Sequence, residues 1–245
     1  MIKLDRGGEE FVFENEWDTA VPITVRKKDG GEVCVEVFPT YESEAEEFVR
    51  RFADDPFTDE AMDFIFEEIG TKMRDRGYEE DENGKFRRRF YYTYVIKSRD
   101  AVNRDAILPS TMPLTKKNIR RKKNKTTFDL PLYIDEEMTA FVTVKDGEIV
   151  SIASENRSCS DDFVDEGADI IEIGTETYVD QRKNGYAASN CAALADALLS
   201  ENDCYVTYET ANTNVPSQKC AEKAGFVRYG RCYYYIMRKI YKDNE

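Results

Sequence analysis

Between Ile170 and Phe226 the chain gathers residue types whose order and spacing could do chemistry. Arg182-Lys183-Asn184-Gly185-Tyr186-Ala187 lies between a β-rich run and a stretch of small residues (Ala187, Ala188, Ser189, Ala192, Ala193) that reads as a helix. A turn that opens a helix points several backbone N–H groups the same way, and with the helix terminus they form an anion site suited to a pyrophosphate. Gly185 lets the backbone approach a ligand, and Ala187 leaves the space unfilled. On the strand before this turn, alternation puts Glu172, Gly174 and Glu176 on one face, opposite Ile171 and Ile173. A carboxylate there, directly or through water, could take the proton from an ammonium group. Glu209, after the next strand, is a third candidate. Plainer readings stand beside these: each glutamate could be a solvated or ion-paired strand residue, and Cys191 and Cys220 small core residues.

The chain of 245 residues has no His, which excludes Ser–His and Cys–His nucleophile pairs and HExxH metal helices. Any acid or base must be a carboxylate, Tyr, Lys, Cys or a relayed water. The six cysteines (34, 159, 191, 204, 220, 232) form no CxxC, so neither a metal site nor a disulfide framework is expected. No apolar run approaches the ~18 residues of a membrane span. Met1-Ile2-Lys3-Leu4-Asp5 leads straight into charge, so a cytoplasmic setting with reduced thiols is expected. The formal net charge of −14 argues against nucleic acid as a general partner. Lys85 to Lys125 nevertheless carries 14 Lys+Arg against two Asp. Its dense part, Lys116 to Lys125, is either a solvated linker or a patch for phosphate on a cofactor, a partner or RNA.

The elements that must hold these residues are readable in outline. Strands are expected at Phe11–Phe13, Ile23–Val25 and Val33–Val37, with a turn at Asp29-Gly30-Gly31, and a short acidic helix over Glu42–Phe52. Thr58 reads as the N-cap of a helix striped by Met62, Ile65, Phe66, Ile69 and Met73 and stopped at Gly77. A turn at Asn83-Gly84 precedes an aromatic strand, Phe90–Ile96. Prolines and the basic run suggest a boundary near residue 125, giving a 1–125 α/β region and a 126–245 domain. A hairpin about Asp146-Gly147, a polar loop at Ser158–Gly167 and a strand Ile170–Tyr178 follow. Then come a helix Gly185–Leu199, a strand Tyr205–Tyr208, a helix Pro216–Ala224 and two last strands near Phe226–Tyr229 and Tyr233–Met237. This order describes an α+β fold, a mixed sheet with helices packed on it.

Glu172-Ile173-Gly174-Thr175-Glu176-Thr177, then Arg182-x-x-Gly185-x-Ala187, then Asn212…Ser217…Ala221-Glu222-Lys223-Ala224-Gly225-Phe226 together resemble the GNAT superfamily of acetyl-CoA-dependent N-acetyltransferases. More narrowly, the chain looks like the bacterial GNAT-acetyltransferase family with an extra N-terminal region. The resemblance spans roughly Met138 to Tyr235 and implies a mostly antiparallel GNAT-like sheet flanked by helices. It implies acetyl-CoA as cosubstrate, no metal, and an amine acceptor, small molecule or peptide. Arg182, Lys183, Asn184, Gly185, Tyr186 and Ala187 would hold the pyrophosphate, and Thr175, Glu176, Thr177 and Val179 would lie along the pantetheine arm. Asn212 and Ser217 would sit near the sulfur end. Glu172 occupies roughly the place where several members keep a base, with Glu176 as the other candidate. Members often carry a Tyr, as acid to the leaving thiolate, where this chain has Ala221; Tyr229, Tyr233, Tyr234 or water would have to substitute. Lys183 stands where Gly is common. Two alternatives remain open at this point. One is a coenzyme-A-binding or interaction module without catalysis. The other is an acetyltransferase acting on an RNA-linked amine through the 85–125 segment. The N-terminal region could shape the acceptor pocket, complete the sheet or mediate homodimerisation.

Overall fold

The computed structural model describes residues 1–4, 19–80, 88–156 and 169–240; the expected strand at Phe11–Phe13, the Asn83-Gly84 turn and the Ser158–Gly167 loop lie outside them. In chain order the elements are β1 (Ile2–Leu4), β2 (Thr19–Lys28), β3 (Val33–Val37), α1 (Glu42–Phe52), α2 (Asp59–Ile65), α3 (Thr71–Asp75), β4 (Tyr78–Glu79), β5 (Tyr91–Ile96), β6 (Thr111–Pro113), α4 (Lys116–Ile119), β7 (Lys123–Asn124), α5 (Leu130–Asp135), β8 (Ala140–Lys145), β9 (Glu148–Asn156), β10 (Asp169–Thr177), α6 (Tyr186–Glu201), β11 (Cys204–Ala211), α7 (Val215–Ala224) and β12 (Val227–Lys239). Most pairings are antiparallel, with β1–β3, β7–β9 and β10–β11 parallel, and helices flank the strands: the fold is mixed α+β. Among the described residues no helix is long and apolar enough to cross a membrane.

The chain divides into two compact units. The first comprises Met1–Tyr92, Ala211–Thr213 and Gly230–Glu245. Here β2 and β3 form the expected hairpin, closed by Gly31 N–H donating to Lys28 O (3.0 Å), with Gly30 left-handed. β12 pairs antiparallel with the other edge of β2. Thr58 caps α2 as expected, its Oγ1 accepting from Ala61 N–H (3.2 Å). Between α2 and α3 the helix widens into one π turn, Phe66–Gly70. Met62, Ile65, Ile69 and Met73 line its buried side, packed with Ile23, Val25, Val35, Phe48 and Tyr233.

The second unit comprises Thr93–Thr210 and Asn214–Tyr229. Its strands run β5-β11-β10-β9-β8-β6, with β7 on β9. The boundary expected near residue 125 falls inside this unit. Residues 111–135 form β6, α4, β7 and α5 instead of a linker, because β6 and β7 hydrogen-bond to β8 and β9 while Leu130 and Met112 join the core over Val142 and Ile152. The two last strands expected from the sequence are one, β12, continuous through Gly230.

α6 is fixed from outside by charge. Arg99 grips Asp196 with two bonds of 2.9 Å, and Arg104 adds two more, of 2.9 and 2.7 Å. The Arg99 guanidinium, helped by Arg104, lowers the Asp196 carboxyl to about 2. A carboxyl depressed in the folded state stabilises it fully above its ordinary value near 4, and that stability is lost as pH falls through about 2. Asp196→Asn should therefore cost on the order of 1 kcal/mol at neutral pH. Urea midpoints of the two proteins should converge as the pH is lowered from 4 towards 2; a gap unchanged over that range would refute the ion triad as its source.

Candidate active site

The site is organised by the way β10 and β11 part. They run parallel in register from Asp169↔Cys204 to Glu172↔Thr207 and share no register beyond, although β10 continues to Thr177 and β11 to Ala211. β10 stays bonded to β9 through Thr177↔Ser151, so its edge towards β11 opens from Ile173 onwards. An opened strand edge offers backbone N–H and C=O groups to an extended ligand.

Alternation then sorts the side chains. Ile173 is buried, and the Thr175 hydroxyl donates to Ile152 O (2.7 Å) and neighbours the Cys191 thiol of α6, so this face looks at the helices. Thr177 Oγ1 lies 2.8 Å from Ser151 Oγ, which accepts from Asn190 Nδ2 (3.1 Å). The same Asn190 accepts from Thr143 (2.9 Å) and Thr111 (3.2 Å), and the wholly buried Thr143, Ser151 and Asn190 thus satisfy one another and pin α6 in register on the sheet. Glu172, Gly174 and Glu176 occupy the opposite face. Asn156, paired with Glu172, lays its amide over Gly174, where a β-carbon would come within 3.2 Å. Parallel register puts Thr207, and therefore Glu209 two residues on, on the same face as Glu172. Glu209 accepts from Thr93 Oγ1 (3.0 Å). The Glu176 carboxylate is engaged by Thr127, accepting from its N–H (2.8 Å) and its hydroxyl (2.6 Å).

The turn into α6 is tightly formed. Tyr178 N–H continues the ladder to Val150 O (2.9 Å), and Val179–Gln181 make one 3₁₀ turn with Val179 exposed. Asn184 Nδ2 donates to Gln181 O (3.0 Å), while Arg182 Nε reaches back to Thr177 O (3.3 Å). Lys183 (φ +66°) and Gly185 (φ +80°) are both left-handed. Lys183 thus bears a conformation that Gly adopts without strain. Thr58, Thr115, Asp129 and Asn214 cap their helices with a side chain; α6 begins at Gly185 without one. The amides at Tyr186 and Ala187 therefore open α6 with no side-chain acceptor in front of them. Lys223 Nζ would stand 3.2 Å from a β-carbon at Gly185, which puts an ammonium beside that opening.

At the root of the opened edge, Tyr208 is the first β11 residue beyond the shared register, and its hydroxyl lies 2.6 Å from Ser217 Oγ of α7. Burial raises the Tyr208 phenol, so it keeps its proton through the neutral range. The Cys220 thiol neighbours both Tyr208 and Cys191. The neighbouring Cys191 thiol lowers Cys220, whereas the neighbouring Cys220 thiol and full burial raise Cys191. Ala221, one residue on, is wholly buried.

Of the residues marked from the sequence, the second unit brings together Glu172, Thr175, Glu176, Thr177, Val179, Arg182, Lys183, Asn184, Gly185, Tyr186, Ala187 and Ser217. Asn212 groups with the first unit, its N–H donating to Phe90 O (2.9 Å). Asn214, two residues on, is the one that caps α7, accepting from Ser217 N–H (3.3 Å). Of the substitute tyrosines, Tyr229 packs with Val95 and Ile170, Tyr233 is core to the first unit, and Tyr234 lies against Tyr91 (5.8 Å). Sequence reasoning passed over Tyr208 and Thr127. An aromatic in a strand signals only core, and Thr127 meets Glu176 from 49 positions away. Among the described residues no group of three or more Cys, Asp or Glu is placed to hold a metal ion.

No protein-family model and no curated protein matches this chain. Among solved structures, many of those that resemble it are GNAT-family acetyltransferases. A GNAT-family acetyltransferase from Colwellia psychrerythraea is 15% identical with a TM-score of 0.43, over 60% of this chain and 56% of its own, less than two thirds of its length. A GCN5-related N-acetyltransferase-like protein from Streptococcus suis is 19% identical with a TM-score of 0.42, over 73% and 69%. AAC(6')-Ib, solved with parmomycin and acetyl-CoA, is 20% identical with a TM-score of 0.34, over 44% and 68%.

Proposed function

We propose that this protein is an acetyl-CoA-dependent N-acetyltransferase that moves the acetyl group to a primary amine by direct attack on the thioester. One observation carries the reading: the β10 edge opens beyond Glu172↔Thr207, and the same strand leads directly into a helix N-terminus left uncapped by any side chain. An extended arm that ends in a diphosphate matches both features. The Tyr186 and Ala187 amides, with Lys223 beside them, would take the diphosphate. Arg182, Lys183 and Asn184 shape that turn. Thr175, Thr177 and Val179 would follow the arm, and Ser217 its sulfur end. Bound there, acetyl-CoA supplies the activated acyl group; positioning and polarisation of its carbonyl by the open strand edge supply much of the rate.

Glu172 is the base in this reading, on the face away from α6, where Glu209 adds negative charge that favours a cationic acceptor, whether small molecule or peptide. Glu176, held by both groups of Thr127, acts as a strut for the 125–127 segment. The Tyr208–Ser217 hydroxyl pair stands in for the missing tyrosine at position 221 as proton donor to a thiolate. Calorimetry with acetyl-CoA tests the cofactor: micromolar binding is expected, and none up to millimolar cofactor would sink the proposal. Glu172→Gln should leave that affinity intact and slow amine-dependent thiol release by about 100-fold or more. Equal rates would remove Glu172 from catalysis. Binding with no transfer to any amine would leave a coenzyme-A-binding module, the reading that the wholly buried Ala221 favours.

A further inference from the structure

Residues 116–125 contain seven cations and no carboxylate in a chain of net charge −14. Lys116 pairs with Asp135 (3.5 Å) and Lys125 with Glu148 (3.4 Å). Among the described residues, Lys117, Arg120, Arg121, Lys122 and Lys123 form no such pair, and all but the half-buried Lys122 are exposed. Adjacent like charges without counter-ions repel one another, and an anion that joins them relieves this.

Strand register fixes where this run lies. One edge of β9 is taken by β8 from Glu148 to Ser154, including Lys145↔Glu148 and Val144↔Ile149. β7 also pairs with Glu148 and Ile149, so it must occupy the other edge, the one β10 holds from Ser151 onwards. Lys125 N–H donates to Ile149 O (3.0 Å), and the next rung, Val150 O, accepts from Tyr178 N–H (2.9 Å). β7 therefore takes over the edge of β9 at the point where β10 leaves it for the turn into α6. Side chains stitch the two segments together: Lys125 Nζ lies 5.3 Å from the Tyr178 ring centroid, and Thr127 holds Glu176. From the end of β8, Lys145 reaches Gln181 of the same turn (3.2 Å).

We propose that Arg120–Lys123 form a second anion subsite beside the α6 opening, one that recognises a phosphomonoester on the same ligand whose diphosphate the α6 amides take. The inference rests on the coenzyme A reading, where that group is the phosphate on the adenosine ribose. A phosphomonoester carries about −1.5 to −2 charge and three acceptor oxygens, and arginine with lysine is the matching donor set. A long polyanion fits less well. The unpaired cations span only Lys117–Lys123, and Asp135 and Glu148 pair with the residues that flank them.

The test is calorimetry on the full chain with coenzyme A and with dephospho-coenzyme A, for wild type and for Arg120→Gln/Lys123→Gln. These side chains are exposed, and Lys116→Gln serves as a control for charge removal outside the subsite. Wild type should bind coenzyme A about tenfold more tightly than the dephospho form at low salt. The double variant should narrow that ratio to within about twofold by losing affinity for coenzyme A alone. A ratio near one in wild type, or a tenfold ratio that survives in the variant, would overturn the proposal. So would a salt-dependent affinity for a short single-stranded RNA that the variant loses while the wild-type ratio is one; that result would assign the run to nucleic acid. If wild type binds neither form, the coenzyme A reading itself fails and takes this subsite with it. If the variant does not fold, the wild-type ratio and its decline with salt decide alone.

Discussion

Gly185→Trp should lower the affinity for acetyl-CoA by a factor of 100 or more. Gly185 is left-handed (φ +80°) at the head of α6, with no side-chain cap and Lys223 close by. An indole at this position fills the space in front of the first helical amides and pushes the Lys223 ammonium aside. Each charge-assisted hydrogen bond forfeited there is worth about 1.5–3 kcal/mol, so losing two accounts for the expected factor. The fold should tolerate the change better than the ligand does, because the left-handed conformation costs a non-glycine residue roughly 1–2 kcal/mol. Gly185→Asn separates the two effects, since Asn visits this conformation readily and is small. Affinity near wild type for Asn and none for Trp identifies the turn as the diphosphate site. Unchanged affinity in the Trp protein would remove that assignment.

Gly225→Ala should be the most destabilising single methyl in the second unit, at about 3–5 kcal/mol. Gly225 ends α7 at φ +108°, its N–H closing the last turn on Glu222 O (3.1 Å). A β-carbon would lie well inside van der Waals distance of Ala101 O and 2.8 Å from Asn103 N. Those atoms are not free to retreat. Asn103 N–H donates to Ala224 O (3.1 Å), and its side-chain amide donates to Lys223 O (2.9 Å), stitching the 101–103 segment to the end of the helix. Backbone therefore meets backbone, and relief requires breaking both bonds. Urea unfolding of Gly225→Ala measures the cost; a loss below about 1 kcal/mol would mean that the helix end and this segment do not touch as described.

The Gly225-Phe226 pair shows what a sequence can reveal and what it cannot. Its place after a short helix is visible in one dimension, and so are the Thr58 cap, the Asp146-Gly147 hairpin and the strand–turn–helix around Gly185. Each is a local pattern in which neighbouring residues decide the backbone. The reason Gly225 must be glycine is Ala101, more than a hundred positions earlier, and nothing near Gly225 announces it. The 111–135 region was opaque for the same reason. Its pieces are two to six residues long, too short for periodicity, and they become strands and helices only because β8 and β9 offer them an edge. Within the site, alternation correctly separated Glu172, Gly174 and Glu176 from Ile173. The partner that occupies Glu176 is a long-range contact, and the role of Asn214 as the cap of α7 depends on where that helix starts.

β12 has a consequence for how the chain is made. Residues 230–239 supply the strand that pairs with β2, yet they leave the ribosome only after everything from β3 to α7. Until then a nascent chain presents one side of β2, with its apolar Ile23 and Val25, unpaired to whatever is nearby. Synthesis of the first 92 residues therefore does not deliver a finished domain. The N-terminal portion must wait for the last strand, and truncation before Gly230 leaves a sticky edge instead of a smaller protein.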